Sequence, residues 1–129
     1  MAKRILIVDD SLFMRMMIKK ILTVNEYEVV GEAKNGSEAV TMYRQLKPDL
    51  VTMDITMPDM SGIESLKAIR LIDPRARVIM ISAMSQKNFL IEALELGAVG
   101  YVIKPFSKDH LLQAVKKALY KIYLPKYSP

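Results

Sequence analysis

Cysteine is absent from all 129 residues, which removes disulfides, thiolate metal sites and thiol nucleophiles. Histidine occurs once, as His110 in the last helical pattern, so any metal site must be built from oxygen donors; His110 itself reads as a solvent-facing or packing residue. Glycine and proline are sparse, and there is no low-complexity stretch or internal repeat. Nothing therefore marks a linker, and the chain reads as one domain over residues 1–124 with a short tail at 125–129. Long apolar runs are missing too. Lys3 and Arg4 precede only four apolar residues before Asp9, too few for a signal-peptide core, and no segment reads as membrane-spanning, so a cytoplasmic setting is expected. The net charge is +5, yet Lys108, Lys116, Lys117 and Lys121 fall on the polar side of one helical pattern without interleaved aromatics for base stacking. That is a solvated helix face, and no nucleic-acid partner is expected.

What is present is alternation, in a chain with 51% hydrophobic residues, ample for a core. Five short apolar runs, Ile5 to Val8, Val29 to Ala33, Leu50 to Met53, Val78 to Ile81 and Val99 to Ile103, are each followed by a segment of helical spacing. Ala39, Val40, Tyr43 and Leu46 share one face of the second such segment. Leu111, Leu112, Val115, Ala118, Leu119 and Ile122 share one face of the fifth, after Ser107 as N-cap. Gly97 stands where a left-handed helix end is wanted, and Pro48 and Pro74 fall in connections before strands. Met14, Met16 and Met17, with Phe13 and Phe89, read as core filling. Phe106 is left open between the surface and the base of the last helix. Strand–helix alternation predicts an α/β fold: a doubly wound, flavodoxin-like, five-stranded parallel sheet of order 2-1-3-4-5 with helices on both faces.

In that order the second strand is an edge ending in Ala33-Lys34-Asn35-Gly36. The other four strands end side by side in Asp9/Asp10, Asp54, Ser82 and Lys104. Three carboxylates in one crevice repel, and relief comes from proton uptake or from a hard divalent cation; magnesium suits oxygen ligands best, with Mn²⁺ as a substitute. With Asp9 and Asp10 neutralised by metal, Asp54 can act as a nucleophile, while Lys104 balances charge on a transferring group and Ser82 donates a hydroxyl. These are the parts of a phosphoryl-transfer site. Each has a plainer reading: Asp54 as a turn residue, Asp9 or Asp10 as a helix cap, Lys104 as an ordinary surface lysine. Their convergence on one sheet edge favours the chemistry. A small Mg²⁺-dependent phosphohydrolase is disfavoured, because the position two residues past the aspartyl nucleophile, where such enzymes carry a second acid, is Thr56 after Asp54 and Ser11 after Asp9. A nucleotide switch lacks its glycine-rich loop.

ILIVDDS at 5–11, DLVTMDITMPDMSG at 49–62, VIMISA at 78–83 and GAVGYVIKPF at 97–106, in this order, resemble the receiver domains of two-component response regulators over essentially the whole chain. The resemblance implies Asp54 as phosphoacceptor, and Asp9, Asp10, Asp54 and the Thr56 backbone carbonyl as magnesium ligands. It further implies Lys104 as the phosphoryl-binding lysine before a cis Pro105, and Ser82 with Tyr101 as a switch pair. Thr56 and Met84 flank the phosphoryl group and are expected to set its lifetime. The implied partners are a histidine kinase and a protein target on the face of the fourth helix, fifth strand and fifth helix, as monomer or phosphorylation-dependent dimer. The expected role is a stand-alone regulator of the chemotaxis kind, not an enzyme in its own right. Alternatives are a phosphorelay intermediate and a phosphorylation-independent binding module.

Overall fold

The computed structural model describes residues 1–120. Its strands are β1 (Arg4–Val8), β2 (Glu28–Ala33), β3 (Leu50–Asp54), β4 (Val78–Ala83) and β5 (Gly100–Lys104). They alternate with helices α1 (Leu12–Val24), α2 (Gly36–Leu46), α3 (Gly62–Ile72), α4 (Lys87–Glu95) and α5 (Lys108–Tyr120), and a single 3₁₀ turn, Met84–Gln86, precedes α4. All strand pairs are parallel, in the order β2-β1-β3-β4-β5. The expected doubly wound sheet is the observed one.

Period-2 alternation divides the core into two layers. Leu6 and Val8 point to the layer filled by Ala39 and Tyr43 of α2, Leu66 and Ile69 of α3, and Leu90 and Ala93 of α4. Ile5 and Ile7 point to the opposite layer, filled by Ile18 and Leu22 of α1 and by Leu111, Val115 and Ala118 of α5. Because helices cover both faces, the central strands read as unbroken apolar runs rather than as alternating ones. Val40, Leu46 and Leu112 pack at the margins of these layers as their spacing requires, while Ile122 and Lys121 lie outside the described residues.

Helix starts follow their caps. Ser11 Oγ accepts from Met14 N, Asn35 Oδ1 from Glu38 N, Ser61 Oγ from Glu64 N, and Ser107 Oγ from His110 N, each supplying an acceptor to an otherwise unpaired first-turn amide. Gly97 has φ +105°, the left-handed geometry its position calls for.

Strand ends move relative to the apolar runs. β3 extends to Asp54, β4 runs on through Ser82 and Ala83, and β5 begins at Gly100 and closes on Lys104, because the ladder pairs Ser82 with Ile103 and Ala83 with Lys104. Backbone pairing thus continues past the last apolar side chain and holds the polar residues rigidly at the sheet edge.

Three core assignments fail. Phe13 is 75% exposed, Met16 61% and Phe89 55%. α1 and α4 each bury a narrow stripe, Ile18 with Leu22 and Leu90 with Ala93, and these residues lie off it. Met14 and Phe106 are half-buried against the α1/α5 layer, and Met17 is half-buried. His110, Lys108, Lys116 and Lys117 are exposed, as read. Among the described residues no helix is long and apolar enough to cross a membrane.

Candidate phosphoryl and metal site

β1 and β3 are neighbours, so their C-terminal ends bring Asp9 and Asp10 beside Asp54. One carboxylate oxygen from each lies within 4.8 Å of the others. Asp9 and Asp54 are buried, whereas Asp10 is exposed at the mouth. Lys104 reaches over from the end of β5, with Nζ 3.4 Å from both Asp9 Oδ2 and Asp54 Oδ1. One ammonium serves two carboxylates, and a third stands beside them without a cation of its own in this cluster. Burial, followed by the neighbouring charge of Asp9, pushes the Asp54 carboxyl up to about 6 despite the opposing pull of Lys104. Such a pocket favours added positive charge. Its donors are all oxygens, a set suited to a hard divalent cation, so the residues present fit magnesium.

The first carboxylate is oriented by its own loop. Asp9 Oδ1 accepts the Ser11 amide at 2.8 Å, so Asp9 braces the start of α1 while its other oxygen faces Lys104. Arg15, one turn into α1, donates from Nη1 to the Asp9 carbonyl at 2.7 Å and is itself paired with Glu32 of β2 at 3.3 Å. The loop after β3 has a comparable brace. Asp59 accepts from the Gly36 and Ser37 amides at 3.0 and 3.3 Å, from the Ser37 hydroxyl and from Met60 N, fastening this loop to the first turn of α2. The Ser37 hydroxyl, more than the amides, holds the Asp59 carboxyl below its usual range. Arg15 and Asp59 escaped the sequence reading. Arg15 lies four residues after the cap Ser11, on the same helix face, and Asp59 follows a proline in a turn; neither signal separates them from ordinary surface charges.

Of the remaining expected residues, Ser82 and Thr56 lie by the ends of β4 and β3, whereas Met84 and Tyr101 line the groove beyond Lys104. Ser82 is fully buried, and its Oγ donates to the Ala83 carbonyl at 2.9 Å. Tyr101 is about half exposed, Thr56 lies at the surface just past Asp54, and Met84 is 77% exposed in the turn after β4. Gln86 was not anticipated: its side-chain amide donates to Thr56 Oγ1 and accepts from Ala83 N at 2.9 Å. The Lys104–Pro105 peptide is cis. Beyond Lys104 a groove of about 650 Å³ runs between β5 and α5, lined by Met84, Tyr101, Pro105, His110 and Lys117 among others. It adjoins the pocket through Lys104, which belongs to both.

The geometry has close counterparts. The chain is 57% identical over 119 residues to the chemotaxis protein CheY of Bacillus subtilis (strain 168), covering 92% of this chain and 99% of that one. Among solved structures, the response regulator domain of Thermotoga maritima CheB superposes with a TM-score of 0.87 at 41% identity, over 95% of this chain and all of that one. CheY in the CheX-CheY-BeF₃-Mg²⁺ complex from Borrelia burgdorferi does so with a TM-score of 0.88 at 38% identity, over 92% and 90%. The response regulator receiver domain family matches residues 5–116, a span that takes in all five strands except Arg4 at the start of β1, and every residue of the acidic pocket. With the strand order, the acidic triad at the sheet edge and the lysine that bridges it all in place, the chain belongs to the response regulator receiver domain family.

Proposed function

We propose that this CheY-like receiver accepts a phosphoryl group on Asp54 from a histidine kinase and thereby changes its affinity for a protein partner. The observation that carries this reading is Lys104 Nζ, held 3.4 Å from both Asp9 and Asp54 within a triad of converging carboxylates. Asp9, Asp10, Asp54 and the Thr56 carbonyl would hold Mg²⁺, with Mn²⁺ as a substitute. When bound, the ion supplies charge neutralisation around the phosphoryl oxygens.

In the transfer, an Asp54 carboxylate oxygen attacks phosphorus. The new P–O bond forms as the P–N bond of the donor phosphohistidine breaks, and the imidazole leaves with the electron pair and takes up a proton from solvent. A carboxylate nucleophile needs no general base. Lys104 stays beside the reacting oxygens as their fixed cation, and burial of Asp54 keeps bulk water away from the bond formed. Ser82 then turns its hydroxyl toward the phosphoryl group, and Tyr101, half exposed without it, turns inward. The surface altered would be that of α4, β5 and α5, where a target protein docks, the receiver acting as a monomer or a phosphorylation-dependent dimer in the cytoplasm. A role in chemotaxis is the favoured setting.

Intact mass after incubation with acetyl phosphate and Mg²⁺ tests the reading. One added phosphoryl group, absent from Asp54→Asn and from an EDTA-treated sample, is the expected result. An unmodified wild type with this donor and with a kinase donor would replace it by a phosphorylation-independent binding role.

Met84 bears on how long the modification lasts. Its apolar side chain offers no partner to an attacking water, whereas a carboxylate there would orient one. Met84→Glu is therefore expected to speed loss of phosphate roughly 2- to 10-fold, the range of one added hydrogen bond. A decay rate equal to that of wild type would remove Met84 from this role.

A further inference from the structure

Gln86 closes the 3₁₀ turn that leads into α4, and both ends of its side-chain amide are engaged at the rim of the acidic pocket. Oε1 accepts the Ala83 N–H at 2.9 Å, while Nε2 donates to Thr56 Oγ1. One side chain thereby ties the loop after β4 to the loop after β3, two segments that leave the sheet side by side where the paired strands end. The Ser82 hydroxyl is engaged in the same loop, donating to the Ala83 carbonyl at 2.9 Å. The two donors at the end of β4, the Ser82 O–H and the Ala83 N–H, are thus both satisfied within the rim itself.

A phosphoryl group on Asp54 presents strong acceptor oxygens, and Lys104 is a single ammonium already shared by two carboxylates. The nearest further donors lie on β4, whose Ile81 is paired with Asp54 and whose Ala83 is paired with Lys104. To recruit them, the loop must give up the contacts that now occupy them. We propose that Gln86 is a clasp: its amide holds the two rim loops in the unmodified arrangement, and phosphoryl occupancy of Asp54 opposes closure of the clasp. This rests on the reading of Asp54 as phosphoacceptor. Gln86 acts here as a positioning residue, through Ala83 and Thr56.

Reciprocity fixes the sign. If phosphoryl occupancy weakens the clasp, weakening the clasp must tighten phosphoryl occupancy by the same factor. The contacts are solvent-accessible hydrogen bonds, each of modest net strength, so the factor is about 3- to 10-fold. Mg²⁺ affinity in the absence of a phosphoryl mimic should not move, because the Gln86 amide bonds to the Thr56 hydroxyl and the Ala83 N–H and to none of the oxygens that would hold the ion, neither a triad carboxylate nor the Thr56 carbonyl.

Calorimetric titration with beryllofluoride in saturating Mg²⁺, on the full chain, tests the clasp. Gln86→Ala is expected to bind the mimic about 3- to 10-fold more tightly than wild type, with Mg²⁺ binding alone unchanged. Thr56→Val is expected to act in the same direction but less, and to add nothing to Gln86→Ala, because the hydroxyl works only through the amide. Amide exchange at Ala83 should quicken in Gln86→Ala, giving a readout independent of ligand. Equal or weaker binding of the mimic by Gln86→Ala, or an Ala83 amide as protected as in wild type, overturns the clasp and leaves the phosphoacceptor reading standing. Failure of the wild type to bind beryllofluoride with Mg²⁺ overturns that reading, and the clasp falls with it.

Discussion

Asp54→Asn is expected to melt several degrees above the wild type at pH 7 in EDTA, and to lose that advantage below about pH 4. The folded-state pKa of Asp54 is raised to about 6 from 3.8, with burial first and Asp9 second as causes. A raised carboxylate pKa means the folded protein binds its proton more readily than the unfolded chain does. Above pH 6 the ionised form is therefore a burden on the fold; as pH falls from about 6 to 4 the burden is lifted, and below 4 both states are protonated and the difference vanishes. Two pH units correspond to roughly 3 kcal/mol at most. The pocket opens to solvent at Asp10, and screening there brings the expected gain to on the order of 1 to 2 kcal/mol. Mg²⁺ should reverse the ranking, since mass action stabilises the protein that holds the ion more tightly. Thermal melts across pH 4 to 8, with and without Mg²⁺, check both signs; a variant that melts with wild type at pH 7 in EDTA would show that the triad is not under charge strain.

Gly62→Val is expected to cost about 3 kcal/mol or more and to lower the melting temperature by roughly 10 °C. A Cβ at Gly62 would stand 2.1 Å from the Asp54 carbonyl oxygen and 2.9 Å from Ile55 Cα, both backbone atoms that no rotamer change can move aside. The first residue of α3 lies directly on the chain leaving Asp54, and Gly62 N donates to the Ile55 carbonyl at 2.7 Å. Any side chain must push α3 away from the end of β3, displacing the backbone that presents Asp54. Loss of stability should therefore arrive together with loss of Mg²⁺ affinity. The neighbouring Ser61→Ala removes only a helix cap and should cost about 1 kcal/mol with the metal site intact. A Gly62→Val protein as stable as wild type would disprove the close approach.

The pocket was legible from the sequence because polar residues interrupt apolar runs, and a parallel sheet forces such interruptions to one edge. Asp9, Asp10, Asp54 and Lys104 needed only strand order to be brought together. The rim was not legible, because contacts such as Gln86 with Thr56, Asp59 with Ser37 or Arg15 with the Asp9 carbonyl depend on loop conformations that no periodicity encodes. Exposure of Phe13, Met16 and Phe89 was misjudged for a different reason. Helical spacing reveals that a buried face exists but not how wide it is, and α1 and α4 bury far narrower stripes than their apolar content suggests.

The bridge between Lys104 and Asp9 joins positions 95 residues apart, and that between Lys104 and Asp54 joins positions 50 apart. Closing loops of that length costs chain entropy, which the pairing of β3, β4 and β5 offsets as it carries Lys104 to the aspartates. During synthesis, the aspartates emerge long before the lysine that will sit between them, so a nascent chain carries mutually repelling acids without their fixed cation. The charge balance of the pocket is complete only in molecules whose β5 has joined the sheet, because Lys104 ends that strand.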